Sequence, residues 1–435
     1  MNKYITDVIG FRKSKISKDT IITFSGNLVN ALLVFGYTVV VSRNMDIENF
    51  GIFSFALAIL TVVIELSDSG LTTAVVRFAS QYIAAGKRGL AHAIFLLTLR
   101  YRILVALVMS LLGIAFAPWL ADFVFSKPEV SATIQIAFIA VFFINLQNFI
   151  SSVFLSHRQF VKKVSYNIII SGLKISILAG FIYLLQQSIT PIYAVWVIIA
   201  STLIGLAIGY ILMPKFPLKK QIDTKEYLKI RREIFHFSKW ILVSTIAGLI
   251  LLRVDTFLLT RLVSLAEVGL FNAAYNFSMF FHISAAALGT ALLPYVSGFD
   301  LERVKRLYLN LFKLLPLVVV GVAILVWLAK YILLFVYGDR YIDSVSALQI
   351  LFISGGLVLI TNPLFIIFYR LKKARVIALI NLGQVIIGIC LNLVLIPEYG
   401  IKGPAISALI FNLFAFVLIL WLTYHQIYRK YASNS

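Results

Sequence analysis

Every second connection between the apolar stretches of this chain carries several Lys and Arg residues, and the connections between them are short and poor in both. In a bilayer that alternation sorts loops to two sides, because basic residues close to span ends stay in the cytoplasm. The chain must therefore weave through a membrane with its N- and C-termini cytoplasmic. Stretches of about 20 apolar residues, enough for a helix to cross the hydrocarbon layer, fall at 20–42, 49–76, 94–117, 131–155, 164–185 and 191–212. A second set follows at 235–260, 268–296, 310–330, 345–369, 374–396 and 402–424, with a bend or separate short helix expected after Asp68, Ser69 and Gly70.

The expected cytoplasmic side collects Arg12, Lys13, Lys15 and Lys18, then Lys87 and Arg88, then Arg158, Lys162 and Lys163. It continues with the linker bearing Lys215, Lys219, Lys220, Lys225, Lys229, Arg231 and Arg232, then Arg303, Lys305 and Arg306, Arg370 to Arg375, and Arg429 with Lys430. Facing them are loops at Asp46 and Glu48, Lys127 and Glu129, Gln186 to Thr190, Glu267, Asp339 to Asp343, and Glu398.

The net charge of +21 on 435 residues would fit nucleic acid, but its basic groups are dispersed between apolar segments rather than along one face. With 61% hydrophobic and 13% charged residues, the chain is too apolar for an ordinary soluble domain. Anionic headgroups and the positive-inside bias account for the charge without nucleic acid. Cys390, the single cysteine, excludes an intramolecular disulfide and a multi-cysteine metal site. The polar, basic first 20 residues do not read as a cleavable signal peptide, so the first span is expected to direct its own insertion.

An internal repeat divides the chain near residue 225. TFSGNLV at Thr23–Val29 pairs with HFSKWIL at His236–Leu242, and FGIFSFA at Phe50–Ala56 with VGLFNAA at Val268–Ala274. Both copies hold six spans and start on the same side, which makes them parallel repeats about an axis along the membrane normal. The expected organisation is an all-α polytopic membrane protein: a six-helix bundle at 1–213, a linker at 214–233, read as a charged tether with a surface helix at Thr224–Glu233, and a second bundle at 234–435. Two such bundles flanking a cleft have the geometry of an alternating-access carrier.

Function should lie in groups that lipid would not tolerate. A charge at the helix centre costs about 2.5–3.5 kcal/mol on insertion scales and normally faces a bundle interior or a wet cavity. Lys174 lies ten residues into the fifth span, roughly 15 Å deep at 1.5 Å per residue, too far for its stem to snorkel out fully. It is a candidate ligand for an anionic substrate or a partner for a carboxylate. Arg253 in the seventh span is a candidate phosphate ligand through bidentate bonds, or a helix anchor. Glu65 and Asp68 share a face of the second span, and with Asp255 they are candidate ion-coupling carboxylates. They are equally candidates for structural ion pairs, the first two with Arg77, Arg100 or Arg102. Asn27 with Asn30, Asn145 with Asn148 and Asn272 with Asn276 form amide pairs that suit the hydroxyls of a sugar or hydrogen bonds between helices. His282 alone is too little for a metal site. The segment GGLVLITNP at Gly355–Pro363 is a candidate hinge or packing site. There is no Walker-type phosphate loop, zinc-spaced His pair or catalytic-sized loop, so neither an enzyme, a cofactor nor a metal site is expected.

FGIFSFALAIL at Phe50–Leu60, DSGLTTAVVRF at Asp68–Phe78, RVDTFLLTRLVSLAEVGLFNAAYNF at Arg253–Phe277, FVYGDRYIDSVSALQIL at Phe335–Leu351 and LNLVLIPEYGIKGPAIS at Leu391–Ser407 carry a resemblance that spans essentially the whole chain. It resembles the O-antigen flippase type of polysaccharide biosynthesis protein in the multidrug/oligosaccharidyl-lipid/polysaccharide superfamily. The resemblance implies a carrier that moves undecaprenyl-diphosphate-linked oligosaccharide from the cytoplasmic to the outer leaflet of the inner membrane. A monomeric transport unit and contact with glycan-synthesis and polymerisation proteins are expected with it, and no nucleic-acid partner is expected. The resemblance does not carry over an energy source, so coupling to protons or sodium is a separate hypothesis resting on the intramembrane carboxylates. A cation-coupled multidrug exporter, a flippase for the peptidoglycan lipid precursor and a non-transporting scaffold are the competing readings.

Overall fold

The computed structural model describes residues 15–68, 70–185, 188–214, 224–297, 301–370 and 374–432. Ser69, Gln186, Arg12, Lys13, Lys215, Lys219, Lys220, Lys372 and Lys373 lie outside the described residues. The described chain is helical: α1 Lys15–Arg43, α2 Ile47–Asp68, α3 Leu71–Ala84, α4 Arg88–Trp119, α5 Ser131–Ser156, α6 Phe160–Leu185 and α7 Pro191–Leu212. It continues with α8 Thr224–Leu262, α9 Leu265–Ser297, α10 Leu301–Tyr337, α11 Val345–Arg370, α12 Ala374–Tyr399 and α13 Lys402–Ala432. Among the described residues ten helices are long and apolar enough to cross a membrane. α8 and α9, 39 and 33 residues long, occupy the positions of the seventh and eighth expected spans.

The second expected span is two helices. α2 stops at Asp68 and α3 restarts at Leu71 after Gly70, whose φ of 73° is a left-handed conformation that glycine adopts without Cβ strain. α8 merges the linker's surface helix with the seventh span.

The chain divides into two compact units. The first is Met1–Met45 with Ala56–Ile246, and the second is Asp46–Phe55 with Ala247–Ser435. In the first unit α4 packs on α5, α5 on α7, and α6 on α7. In the second, α10 packs on α11, α11 on α13, and α12 on α13, the same three pairings in repeat order. The repeat extends to single side chains. Gln135, in the first turns of α5, donates to the carbonyl of Ile114 on α4 at 3.4 Å, and Gln349, at the matching place on α11, donates to that of Val326 on α10 at 3.2 Å. Each Gln is preceded by a helix exit with positive φ, at Ser126 (54°) and Gly338 (91°), following FVF and FVY.

Unlike a soluble protein, the chain exposes large apolar side chains along whole helix stripes. α10 exposes Leu317, Val320, Ile324, Trp327 and Tyr331 along one stripe, the surface that lipid would cover. The interior of the first unit is built where Ile230 and Ile234 of α8 meet Leu71 and Val75 of α3, Ile94 and Phe95 of α4, and Phe149 and Val153 of α5. Arg77 sits over the Phe237 ring, 4.6 Å from its centroid, so the basic start of α8 is held by a cation–π contact as well as by its apolar face. The candidate hinge in α11 has a packing role: a Cβ on Gly355 would meet the Phe281 ring at 2.5 Å and one on Gly356 would meet Val322 at 2.7 Å.

Candidate functional site

In the first unit α1 and α6 lie unusually close, because a Cβ at Gly26 would overlap the side chain of Val164. That approach sets two amides of α1 against polar groups of α6. Lys163 Nζ donates to Asn27 Oδ1 at 3.0 Å, and Ser171 Oγ donates to Asn30 Oδ1 at 2.8 Å. Asn167, four residues beyond Lys163, accepts at Oδ1 from Ser151 Oγ on α5 at 3.3 Å. Lys163, Asn167, Ser171 and Lys174 are spaced so that they share a face of α6. Lys174 is half-buried on that face and makes no ion pair or hydrogen bond among the described residues. Asn27 and Asn30 thus share one polar strip with Lys174.

The other sequence candidates in this unit go elsewhere. Arg102 is fully buried and pairs with Asp68 through Nη2, which also donates to Thr72 Oγ1 at 2.9 Å. Its Nη1 donates to the backbone carbonyl of Asn145 at 3.2 Å, and Asn145 Nδ2 donates to Ser67 Oγ at 2.7 Å. Asp68 also accepts from the Thr72 hydroxyl at 2.7 Å and its backbone N–H at 3.2 Å, fastening the break between α2 and α3. Asp68 and Asn145 are therefore drawn into one network with Arg102, a partner allowed for from sequence. Glu65, three residues before Asp68, is exposed, and Asn148 is half-buried. Breaking a buried pair strands a charge and typically costs about 3–5 kcal/mol, whereas replacing both members by apolar groups is often neutral. Arg102→Ala should accordingly lower thermal stability sharply, and Asp68→Asn combined with Arg102→Met should recover most of it. A melting curve of Arg102→Ala matching wild type would show that the network contributes nothing.

In the second unit Asp255 is 5% exposed and accepts from Asn392 Nδ2 of α12 at 2.6 Å. It lines a cavity of about 150 Å³ with Tyr275, Ser278 and His282 of α9, Ser354 of α11 and Asn412 of α13. The opposite wall is cross-linked, since Asn412 Nδ2 donates to Ser354 Oγ at 2.9 Å and Gln384 Nε2 donates to Asn412 Oδ1 at 3.1 Å. Among the described residues, Asn392 Oδ1 is buried without a hydrogen-bond partner. The Asp255 carboxyl thus faces a small, mostly apolar cavity, with Asn392 bonded to it from α12. Arg253, half-buried two residues before Asp255, is not among the residues lining the cavity. Asn272 is buried and donates to Val268 of its own helix at 2.9 Å, and Asn276 donates to the Tyr337 hydroxyl at 3.4 Å. Lys163, Ser354 and Asn412 escaped the sequence reading; Lys163 looked like a loop cation, and only its place on the Lys174 face distinguishes it.

A protein-family model described as polysaccharide biosynthesis protein matches residues 16–299. The chain belongs to this family. A putative O-antigen transporter of Shigella flexneri is 25% identical over 201 residues, 45% of this chain and 47% of that relative, so the match spans about half of the relative's length. An uncharacterized membrane protein of Methanocaldococcus jannaschii is 22% identical over 405 residues, 87% of this chain and 79% of the other. Among solved structures, an inward-facing multidrug resistance MATE family transporter of the MOP superfamily superposes with a TM-score of 0.77 at 16% identity, covering 96% of this chain and 100% of that one. The lipid II flippase MurJ, in an inward closed conformation, gives 0.71 at 14% identity, with 92% and 87% covered. The structural likenesses identify a MATE-like, multi-pass membrane fold.

Proposed function

We propose that the protein moves a polyprenyl-diphosphate-linked oligosaccharide from the cytoplasmic to the outer leaflet by alternating access, supplying cell-envelope polysaccharide assembly. The observation that carries this reading is Lys174, which lies deep in a span with no ion pair among the described residues, on the face of α6 whose Lys163 and Ser171 bond the amides of Asn27 and Asn30. Family membership and the name of the Shigella relative support the same substrate class. A diphosphate would offset the cost of holding a cation away from water, and amides offer both donors and acceptors to sugar hydroxyls. The alternating basic loops support an orientation with both termini cytoplasmic and the Lys163 end of α6 facing the cytoplasm.

Coupling is assigned to Asp255 rather than Asp68, which is already committed to Arg102. The carboxylate of Asp255 and the spare oxygen of Asn392 would take a proton or sodium ion. In proteoliposomes, wild-type protein should deliver lipid-linked oligosaccharide to the outer leaflet, read as glycan accessible to an added lectin. An imposed ion gradient should accelerate delivery, and Asp255→Asn should lose that acceleration. Failure of wild type to move the lipid, with efflux of organic cations instead, would replace this function by multidrug export. Gradient-dependent transport in Asp255→Asn would remove only the coupling assignment.

A further inference from the structure

Lys162 and Lys163 are consecutive in sequence yet differently placed. Lys162 is exposed, whereas Lys163 is half-buried against α1 with its ammonium on Asn27. That partner is a neutral amide oxygen, so the charge is uncompensated and two of the three N–H donors stay available. Among the described residues no carboxylate comes within 4.0 Å of Lys163. It shares a helix face with Lys174, eleven residues on, roughly 16 Å along the axis at 1.5 Å per residue. That interval exceeds the reach of one diphosphate, so the two cations cannot grip the same group at once.

Resting on the function proposed above, we propose that Lys163, held by Asn27, is the entry station for the substrate's diphosphate, ahead of mid-membrane binding at Lys174. Entry and mid-membrane binding are then separate steps served by separate cations on one helix. Asn27 fixes the ammonium at the mouth and leaves its charge intact.

The test uses full-length protein in nanodiscs of zwitterionic lipid with undecaprenyl diphosphate as the probe. Lys163→Gln should raise Kd about tenfold, the loss of one charge-assisted hydrogen bond, while Lys163→Arg restores binding and Lys162→Gln binds as wild type. A wild-type Kd in a folded Lys163→Gln protein overturns the entry station. Equal weakening by Lys162→Gln also overturns it, since the effect would then be general surface charge. If phosphatidylglycerol in the nanodisc displaces the probe from wild type but not from Lys163→Gln, the residue serves a lipid headgroup and the proposal falls. Failure of wild type itself to bind the diphosphate is a different result, because it removes the substrate class.

Discussion

Lys174→Ala is expected to reduce delivery of lipid-linked glycan to the outer leaflet by about 10- to 100-fold, the equivalent of one hydrogen bond to a charged group at roughly 1.5–3 kcal/mol. The same variant should melt no lower than wild type. Its ammonium satisfies no carboxylate or carbonyl among the described residues, so truncation removes no native contact of that kind. It does remove a group that insertion scales penalise by about 2.5–3.5 kcal/mol at a helix centre. Lower transport with equal or higher stability is the signature of a residue kept for binding. A structural lysine would give the reverse, with a lowered melting temperature and normal transport per folded molecule. Lys174→Arg keeps the charge but changes its shape, so it should retain partial transport. Wild-type transport by Lys174→Ala would defeat the cationic-strip idea.

What the sequence made legible was what depends on the solvent. Span positions and the two-fold repeat follow from apolar length and loop charge, and the structure places long helices at the same positions. The break after Asp68 was legible because Gly70 follows it. Depth singled out Lys174, since depth is only a count of residues. Azimuth around the helix was not legible, because these spans are apolar on nearly all sides and carry little face information. Asn27 and Asn145 read alike in sequence, yet one lies on the Lys174 strip and the other in the Arg102 network. Lys163 was hidden by its neighbours Arg158 and Lys162, which made it look like one more loop cation. The paired glutamines Gln135 and Gln349 were readable in principle, as IQIAF and LQILF at matching places in the two halves. Their meaning required the carbonyls they reach.

Gly51→Leu is expected to destabilise the second unit by more than about 3 kcal/mol, beyond the usual cost of overpacking a core that can relax. The reason lies in the repeat. Gly51 and Gly269 occupy the same place in FGIFSFA and VGLFNAA, and α2 and α9 meet there backbone to backbone. A Cβ on Gly51 would overlap the carbonyl oxygen of Leu265, and one on Gly269 would overlap that of Ile47. Each carbonyl belongs to the residue four positions before the opposing glycine, so one contact is made twice. The obstruction is main chain, which cannot swing aside as a side-chain tip can. Both helix starts are also pinned. Asp46 accepts the backbone N–H of Asn49 at 2.7 Å, and Ser264 and Glu267 form a reciprocal capping box, with Ser264 N to Glu267 Oε2 at 3.2 Å and Glu267 N to Ser264 Oγ at 3.3 Å. Sliding either helix to admit a side chain would strain these caps and the stack of Phe50 on Tyr341, an edge-on pair 5.9 Å apart. Gly269→Leu should therefore behave like Gly51→Leu, and the double variant should cost less than the sum, since the first substitution already forces the helices apart. Melting temperatures of the purified single and double variants measure this directly, and strict additivity of the two losses would show that the glycines do not share one crossing.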